Sequence, residues 1–359
     1  MELWDSERLF FSSRGFFDHI LKAIPQAERS IDVETYIFEL DELGNRLIEE
    51  LRRAAGRGVA VRVMLDGVGS LHSAEEVAAR FGGSAVKVKI YHPVRWWSFF
   101  AFARNLNRRN HRKVWLLDSN TAYVGSMNIA HNDWTDYGIR VEGKWVALLR
   151  QSFEKSWLGQ ARWRQLVRPS TLWRRAPYQK GRWVRLNDTM LRRRRNYRLL
   201  LQRSNTALRR IWLASPYFVP RLDLVRALCA AARRGVDVRI LLPKNADVFF
   251  MPWLASTYYL SLLDAGVKIY EYLPHFFHAK VKMIDGWASV GSANLNHRSL
   301  LHDLEADVIV THSGNRRLLE EELLRGFGNS KNVTPESLKE TPWFQKIASR
   351  LFLIFRRVL

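Results

Sequence analysis

An internal repeat limits the possible folds of this chain more than any other feature. The stretch "NHRKVWLLDSNTAYVGSMN" (110–128) is echoed by "FHAKVKMIDGWASVGSAN" (277–294). Each places a His and a Lys two apart, an Asp five residues after the Lys, and Gly-Ser-x-Asn at the end. The repeat also extends upstream. "AERSIDVETYIF" leads to "LIEELRRAAGRGVAVRVMLD", and "ALRRIWLASPYFV" leads to "LVRALCAAARRGVDVRILLP". Both read as a strand, an amphipathic helix and a second strand. Gly58 and Gly235 stand where a helix C-cap glycine is expected. "VKIYHP" and "VKIYEYLP" add a further strand to each half, and "YGIRVEG" and "LEADVIVT" close them. Strands alternating with helices predict an α/β fold with two pseudo-symmetric halves. Each half is expected to be a mixed β-sheet flanked by helices. A duplicated pair with nothing between the copies is one arrangement; one shared cleft at their interface is the sharper one.

The expected boundaries follow the repeat. A first half spans 1–159, a Trp- and Arg-rich connector 160–200, a second half 201–330 and a C-terminal amphipathic segment 331–359. The connector finds no repeat partner in the sequence. A charge run alone reads as a solvated linker, but Trp interleaved with Arg points toward an interface-binding surface.

The paired motifs suit displacement at phosphorus. On a strand, His111 and Lys113 share a face, as do His278 and Lys280. One neutral imidazole can attack while the other protonates the leaving alcohol. Two lysines with Ser126, Asn128, Ser292 and Asn294 can hold the non-bridging oxygens. Asp118 and Asp285 complete the two candidate catalytic sets. No clustered Cys/His/Asp ligand pattern competes, so neither a metal nor another cofactor is expected.

"HRKVWLLDSNTAYVGSMN" carries the HxKx4Dx6GSxN signature, and "HAKVKMIDGWASVGSAN" carries it with one residue fewer between Asp285 and Gly291. In these motifs the chain resembles the phospholipase D superfamily. With "VETYIF", "DYGIRVEG", "ASPYFVP" and "GSANLNHRSL" it is most similar to bacterial cardiolipin synthases, the B type in particular. The resemblance implies His111 as nucleophile, His278 as general acid and then base, and a phosphohistidine intermediate. It also implies that downstream acids orient the rings, and Asp136 and Glu305 fit that place. Asp136 is one carbon shorter than the family's commoner Glu. Asp118 and Asp285 belong to the signature and are open to a structural reading. The shortened spacing at Asp285 predicts a shorter turn between two strands.

A net charge of +22 calls for a polyanionic partner, either nucleic acid or an anionic membrane. Aromatic residues separate the two. Pro274 lies four residues before His278, whereas Pro93 lies eighteen before His111. The aromatic-basic insertion 94–110 contains Trp96, Trp97, Phe99, Phe100 and Phe102, followed by arginines. The C-terminal segment has Trp343 and Phe344 at its head. Both compositions suit the lipid headgroup level, with a core-packed loop and a body-packed helix as the alternatives. No apolar run is long enough to span a bilayer, no secretory signal is evident, and the single Cys229 suits a reducing compartment. The expectation is a peripheral enzyme on the cytoplasmic face of an anionic phospholipid membrane, with phosphatidylglycerol as substrate. A hydrolytic phospholipase D and a nuclease of the same fold are the rivals, and the aromatic residues argue against nucleic acid.

Overall fold

The computed structural model describes residues 4–94, 109–159 and 183–339. The first half is built on a seven-stranded sheet of order β1-β7-β6-β5-β2-β3-β4. Its strands are β1 (Ser6–Phe10), β2 (Ser30–Thr35), β3 (Ala60–Asp66), β4 (Lys87–Tyr91), β5 (Val114–Leu117), β6 (Thr121–Gly125) and β7 (Gly138–Glu142). β2, β3 and β4 run parallel, and β5 joins β2 antiparallel. The crossovers are helical: α1 (Ser13–Ala23), α2 (Glu42–Gly56) and α3 (Ala74–Arg80), with α4 (Val146–Leu158) after β7.

The second half repeats this on eight strands, ordered β17-β12-β11-β9-β13-β14-β16-β8. These are β8 (Val184–Leu186), β9 (Arg210–Ala214), β11 (Asp237–Pro243), β12 (Lys268–Tyr272), β13 (Val281–Ile284), β14 (Trp287–Gly291), β16 (Ala306–Val310) and β17 (Ser330–Asn332). β10 (Phe218–Val219) and β15 (Leu295–Asn296) pair separately. α5 (Met190–Thr206) and α6 (Leu222–Arg233) lie on the outer face.

The two sheets pack face to face. One core cluster mixes Val114, Leu116, Val124 and Ile139 of the first half with Ala279, Val281, Val290 and Val308 of the second. The outer faces form separate cores, one with α1 and α2 and the other with α5 and α6. A strand covered on both sides must be apolar throughout, which explains continuous runs such as "VWLL" and "VKMI". Gly58 and Gly235 end α2 and α6 at φ +92° and +87°, the left-handed region that a side chain disfavours.

Three expected boundaries move. The stretch 183–206 is no connector: β8 pairs antiparallel with β16 as β1 pairs with β7, and each is followed by a capped helix. Ser12 and Thr189 cap those helices by accepting from Gly15 N and Arg192 N. Residues 183–206 therefore do have a repeat partner, residues 6–23, hidden because the helix sequences share no pattern. At the far end, β17 pairs with β12, so the second half runs on through Asn332. Within 94–110, Arg109 and Asn110 are buried, and Arg109 donates to Asp66 at 2.8–3.0 Å. Residues 95–108, 160–182 and 340–359 lie outside the described residues, and with them Trp96, Trp97, Phe99, Phe100, Phe102, Trp343 and Phe344.

Candidate active site

Strand direction brings both motifs to one end of the paired sheets. β5 begins after Lys113 and β6 ends at Gly125. β7 starts two residues after Asp136; in the second half β13 begins after Lys280, β14 ends at Gly291 and β16 starts one residue after Glu305. The motif glycines allow a close approach. A Cβ on Gly125 would lie 2.8 Å from Tyr137 O, and one on Gly291 would lie 2.3 Å from Ala306 O. The strand leading from each acid can therefore lie tight against its motif.

The halves join at these loops by a matched pair of backbone contacts. His111 N donates to Leu304 O at 3.0 Å, and Leu304 N to Arg109 O at 2.9 Å. His278 N donates to Thr135 O at 2.9 Å, and Thr135 N to Phe276 O at 3.0 Å. These contacts cross the orienting acids over. His111 Nδ1 lies 3.0 Å from Glu305 Oε1, and His278 Nδ1 lies 2.8 Å from Asp136 Oδ1. Each ring is thus held by the other half's carboxylate, with Nε2 left for a ligand. The shorter Asp136 does reach its histidine, but its second oxygen is buried without a partner among the described residues. Both Glu305 oxygens are engaged.

Two expected phosphate ligands turn out to be supports. Ser126 Oγ donates to Asp136 at 2.5 Å and accepts from Tyr137 N; Ser292 Oγ donates to Glu305 and accepts from Ala306 N. Both serines are fully buried, so they fix the carboxylates and do not face the cleft. Asn128 and Asn294 differ. Each is buried with an amide oxygen that has no partner among the described residues. Such an atom costs about 1–3 kcal/mol unless something fills the site. Lys113 Nζ and Lys280 Nζ each donate to the backbone carbonyl of the motif His, at 3.0 and 2.6 Å.

Asp118 and Asp285 are not in the cleft. They sit at the opposite ends of β5 and β13, each at φ +49° in the turn to the next strand. Asp118 accepts from Glu28 N, Arg29 N and Ser30 N, and Asp285 from Leu208 N, Arg209 N and Arg210 N. The second turn is one residue shorter, as its sequence predicts. The reason for the motif Asp is structural: it satisfies the amides entering β2 and β9. Asp118→Ala is expected to lower stability by about 2–3 kcal/mol. Thermal unfolding should show that loss, and the folded fraction should keep most of its turnover.

The electrostatics separate the two histidines. Burial drives the His111 imidazolium well below its ordinary range, and the nearby Lys113 and Lys280 push the same way. Burial also raises the Glu305 carboxyl, against the pull of Lys113 and Ser292. His278 is lowered too, by burial and Lys280, but the Asp136 carboxylate opposes the shift. Asp136 itself is pushed up by burial, yet His278, Lys280 and Ser126 outweigh this and hold it low. One dyad therefore favours a neutral ring, and the other keeps an ionised partner ready to support a charged one.

Sequence reasoning missed the aromatic walls. Tyr36 packs edge-on against His111 at 4.9 Å and lies under the Lys113 ammonium at 5.1 Å. Trp134 and Phe276 flank His278 at 4.9 and 5.5 Å. No spacing marks these residues; only the loop paths bring them in. Exposed apolar side chains follow strand ends on this side of the sheets: Leu71 after β3, Met190 and Leu191 after β8, Leu222 after β10, Phe249 after β11 and Leu273 after β12. No helix among the described residues is long and apolar enough to cross a membrane, and none of their His, Cys, Asp and Glu side chains group in threes to hold a metal ion.

Comparison with known proteins agrees with this architecture. The sequence model of the family described as "Cardiolipin synthase, PLD-like domain" matches residues 20–157 and 200–325. Cardiolipin synthase B of Salmonella typhi is 31% identical over 361 residues, covering 95% of this chain and 85% of that protein. The probable cardiolipin synthase YwiE of Bacillus subtilis (strain 168) is 31% identical over 330 residues, covering 89% of this chain. This chain spans only 65% of that relative's length. Among solved structures, phosphatidylserine synthase of Haemophilus influenzae Rd KW20 shares the fold with a TM-score of 0.73 at 14% identity, covering 98% of this chain and 95% of that one.

Proposed function

The chain belongs to the cardiolipin synthase family with a phospholipase D-like domain, and from that premise we propose that it joins two phosphatidylglycerol molecules into cardiolipin and glycerol. His111 Nε2 attacks the phosphorus of the first lipid. The bond from phosphorus to the glycerol oxygen breaks, and His278 gives that oxygen its proton. A hydroxyl of the second lipid then surrenders its proton to His278 and displaces His111 from phosphorus. Lys113, Lys280, Asn128 and Asn294 hold the non-bridging oxygens throughout.

The observation that carries this reading is the crossed pair of dyads, His111 with Glu305 and His278 with Asp136. Two rings fixed through Nδ1 in unlike electrostatic settings suit a nucleophile and an acid/base. An arriving phosphodiester anion offsets the lysine charge that lowers His278, so the general acid gains its proton together with the substrate.

The enzyme acts at an anionic membrane, as a peripheral protein on the cytoplasmic face. The exposed apolar residues that follow these strand ends, with the net charge of +22, support this orientation. The aromatic-basic composition of residues 95–108, which lie outside the described residues, supports contact with lipid.

Purified protein incubated with phosphatidylglycerol vesicles is expected to yield cardiolipin and glycerol in equal amounts, measured by lipid mass spectrometry and a glycerol assay. Turnover is expected to persist in chelator, since ammonium groups supply the positive charge. Phosphatidic acid as the sole product would assign the protein as a hydrolase. Loss of turnover in chelator, restored by one divalent ion, would overturn the charge assignment.

A further inference from the structure

The second half carries a hydroxyl–carboxylate pair at the cleft that the transfer scheme does not use. Tyr217 Oη donates to the Asp247 carboxylate, 2.6 and 2.7 Å from its two oxygens, and the carboxylate is exposed. Strand geometry fixes where it stands. Ser215 Oγ donates to Tyr217 O at 2.8 Å and accepts from Leu295 N at 3.1 Å, while Phe218 pairs with Leu295. Tyr217 therefore runs beside Asn294, whose buried amide oxygen lacks a partner among the described residues. Asp247 lies four residues beyond the end of β11, at the same end of the sheet, where its Oδ1 also accepts from Val248 N at 2.8 Å.

Among its described residues the first half shows no such pair at the matching place. There Thr35 Oγ1 donates to Ile37 O at 2.8 Å and Phe38 bridges to Ile129, so Ile37 occupies the place of Tyr217. The loop after β3 reads Gly-Val-Gly-Ser and carries no acid. The asymmetry matters because the cleft is cationic. A carboxylate at its edge weakens the hold on an anion, and the Lys280 ammonium does sense the Asp247 charge. What a carboxylate adds, and a lysine cannot, is acceptance of hydrogen bonds from hydroxyl groups.

In-line displacement places the departing and arriving alcohols opposite His111, on the side of His278. His278, Asn294, Tyr217 and Asp247 all belong to that half. We propose that Tyr217 and Asp247 form the polyol subsite: Asp247 accepts hydrogen bonds from the glycerol hydroxyls of the headgroup, and Tyr217 fixes the carboxylate. This inference rests on the phosphatidyl-transfer reading. In the second step the bound alcohol gives its O–H proton to His278. Its oxygen bonds to phosphorus as the bond from phosphorus to His111 breaks, and His111 leaves neutral.

The test is a competition. Phosphatidylglycerol in detergent micelles is offered to the enzyme with isotope-labelled glycerol and isotope-labelled ethanol as rival acceptors, and the label entering phosphatidylglycerol and phosphatidylethanol is counted. Asp247→Asn is expected to lower the glycerol-to-ethanol product ratio about tenfold, with phosphatidylethanol still formed. Tyr217→Phe is expected to shift the ratio the same way by less. Asp247 is exposed, so its replacement leaves the fold intact. An unchanged ratio in an Asp247→Asn enzyme that still makes cardiolipin would overturn the subsite alone. A wild-type enzyme that transfers to no alcohol would overturn the transfer reading and the subsite with it.

Discussion

His111→Ala is expected to slow turnover of phosphatidylglycerol by roughly 10⁴-fold or more and to form no phosphatidyl-enzyme. His278→Ala is expected to lose turnover to a similar extent, yet still to accumulate the covalent species slowly. The difference follows from the two settings. His111 is buried beside two ammonium groups that keep its ring neutral, so it can attack even when the leaving alcohol must depart without a proton. His278 is tied to an ionised Asp136, which supports the imidazolium needed in both steps. Acid-quench trapping of labelled lipid on the protein, followed by peptide mapping, reads both outcomes. A covalent species in His111→Ala would reverse the roles. A near wild-type rate in either variant would remove the site.

Lys113→Met is expected to reduce kcat/KM by about 10³-fold and to change the shape of its pH profile. Burial pushes the Lys113 ammonium down to about 8, with Glu305 and Asp136 pulling it back up. A lysine is charged below its pKa and neutral above it. The free enzyme therefore loses positive charge, and with it affinity for a phosphodiester anion, as pH rises through about 8. In the wild type kcat/KM should fall by up to tenfold per pH unit on that limb. Once substrate is bound its own charge favours the ammonium, so the plateau of kcat should extend to higher pH than that of kcat/KM. The alkaline limb should flatten in Lys113→Met. If it keeps its position and slope there, another group sets it. The acidic limb of kcat/KM should lie below the ordinary histidine range, because His111 must be neutral to attack and its ring is lowered in the free site. Loss of the proton from His278, also lowered, adds a decline of its own at lower pH than the Lys113 limb.

Much of this was legible in the sequence where chemistry is written as spacing. The two His-x-Lys sets, the asparagine after each Gly-Ser and the α/β repeat recur in both halves, and the structure brings both motifs to one end of the paired sheets. The two acids, 25 and 27 residues after their histidines, keep no common interval and were named by the resemblance. The signature Asp shows the limit of such reading. Asp118 and Asp285 are as regular as the histidines, yet their regularity serves three backbone amides at a turn. A pattern records that a residue type is needed and not what it touches. The serines misled for the same reason: Ser126 and Ser292 sit one turn of backbone from the asparagines but point at carboxylates. The repeat also looked interrupted at 183–206, because a helix needs only a buried stripe and a cap. α1 and α5 meet that need with unrelated residues.

The sequence by itself determined that two copies of one α/β unit each bring a histidine, a lysine and an asparagine to the end of a strand. It also set the basic charge that draws the protein to an anionic partner. Local periodicity and residue chemistry are enough for that, since each copy's motif lies within about twenty residues of chain. Only the tertiary structure decided that Glu305 serves His111 and Asp136 serves His278, across 194 and 142 residues. It alone brought Tyr36, Trp134 and Phe276 around the rings, and set Tyr217 with Asp247 on one side only. The physical reason is that these contacts depend on how two sheets pack face to face. That packing is fixed by the summed burial of their inner faces and by the loop contacts at 135 and 304, and no interval along the chain encodes it.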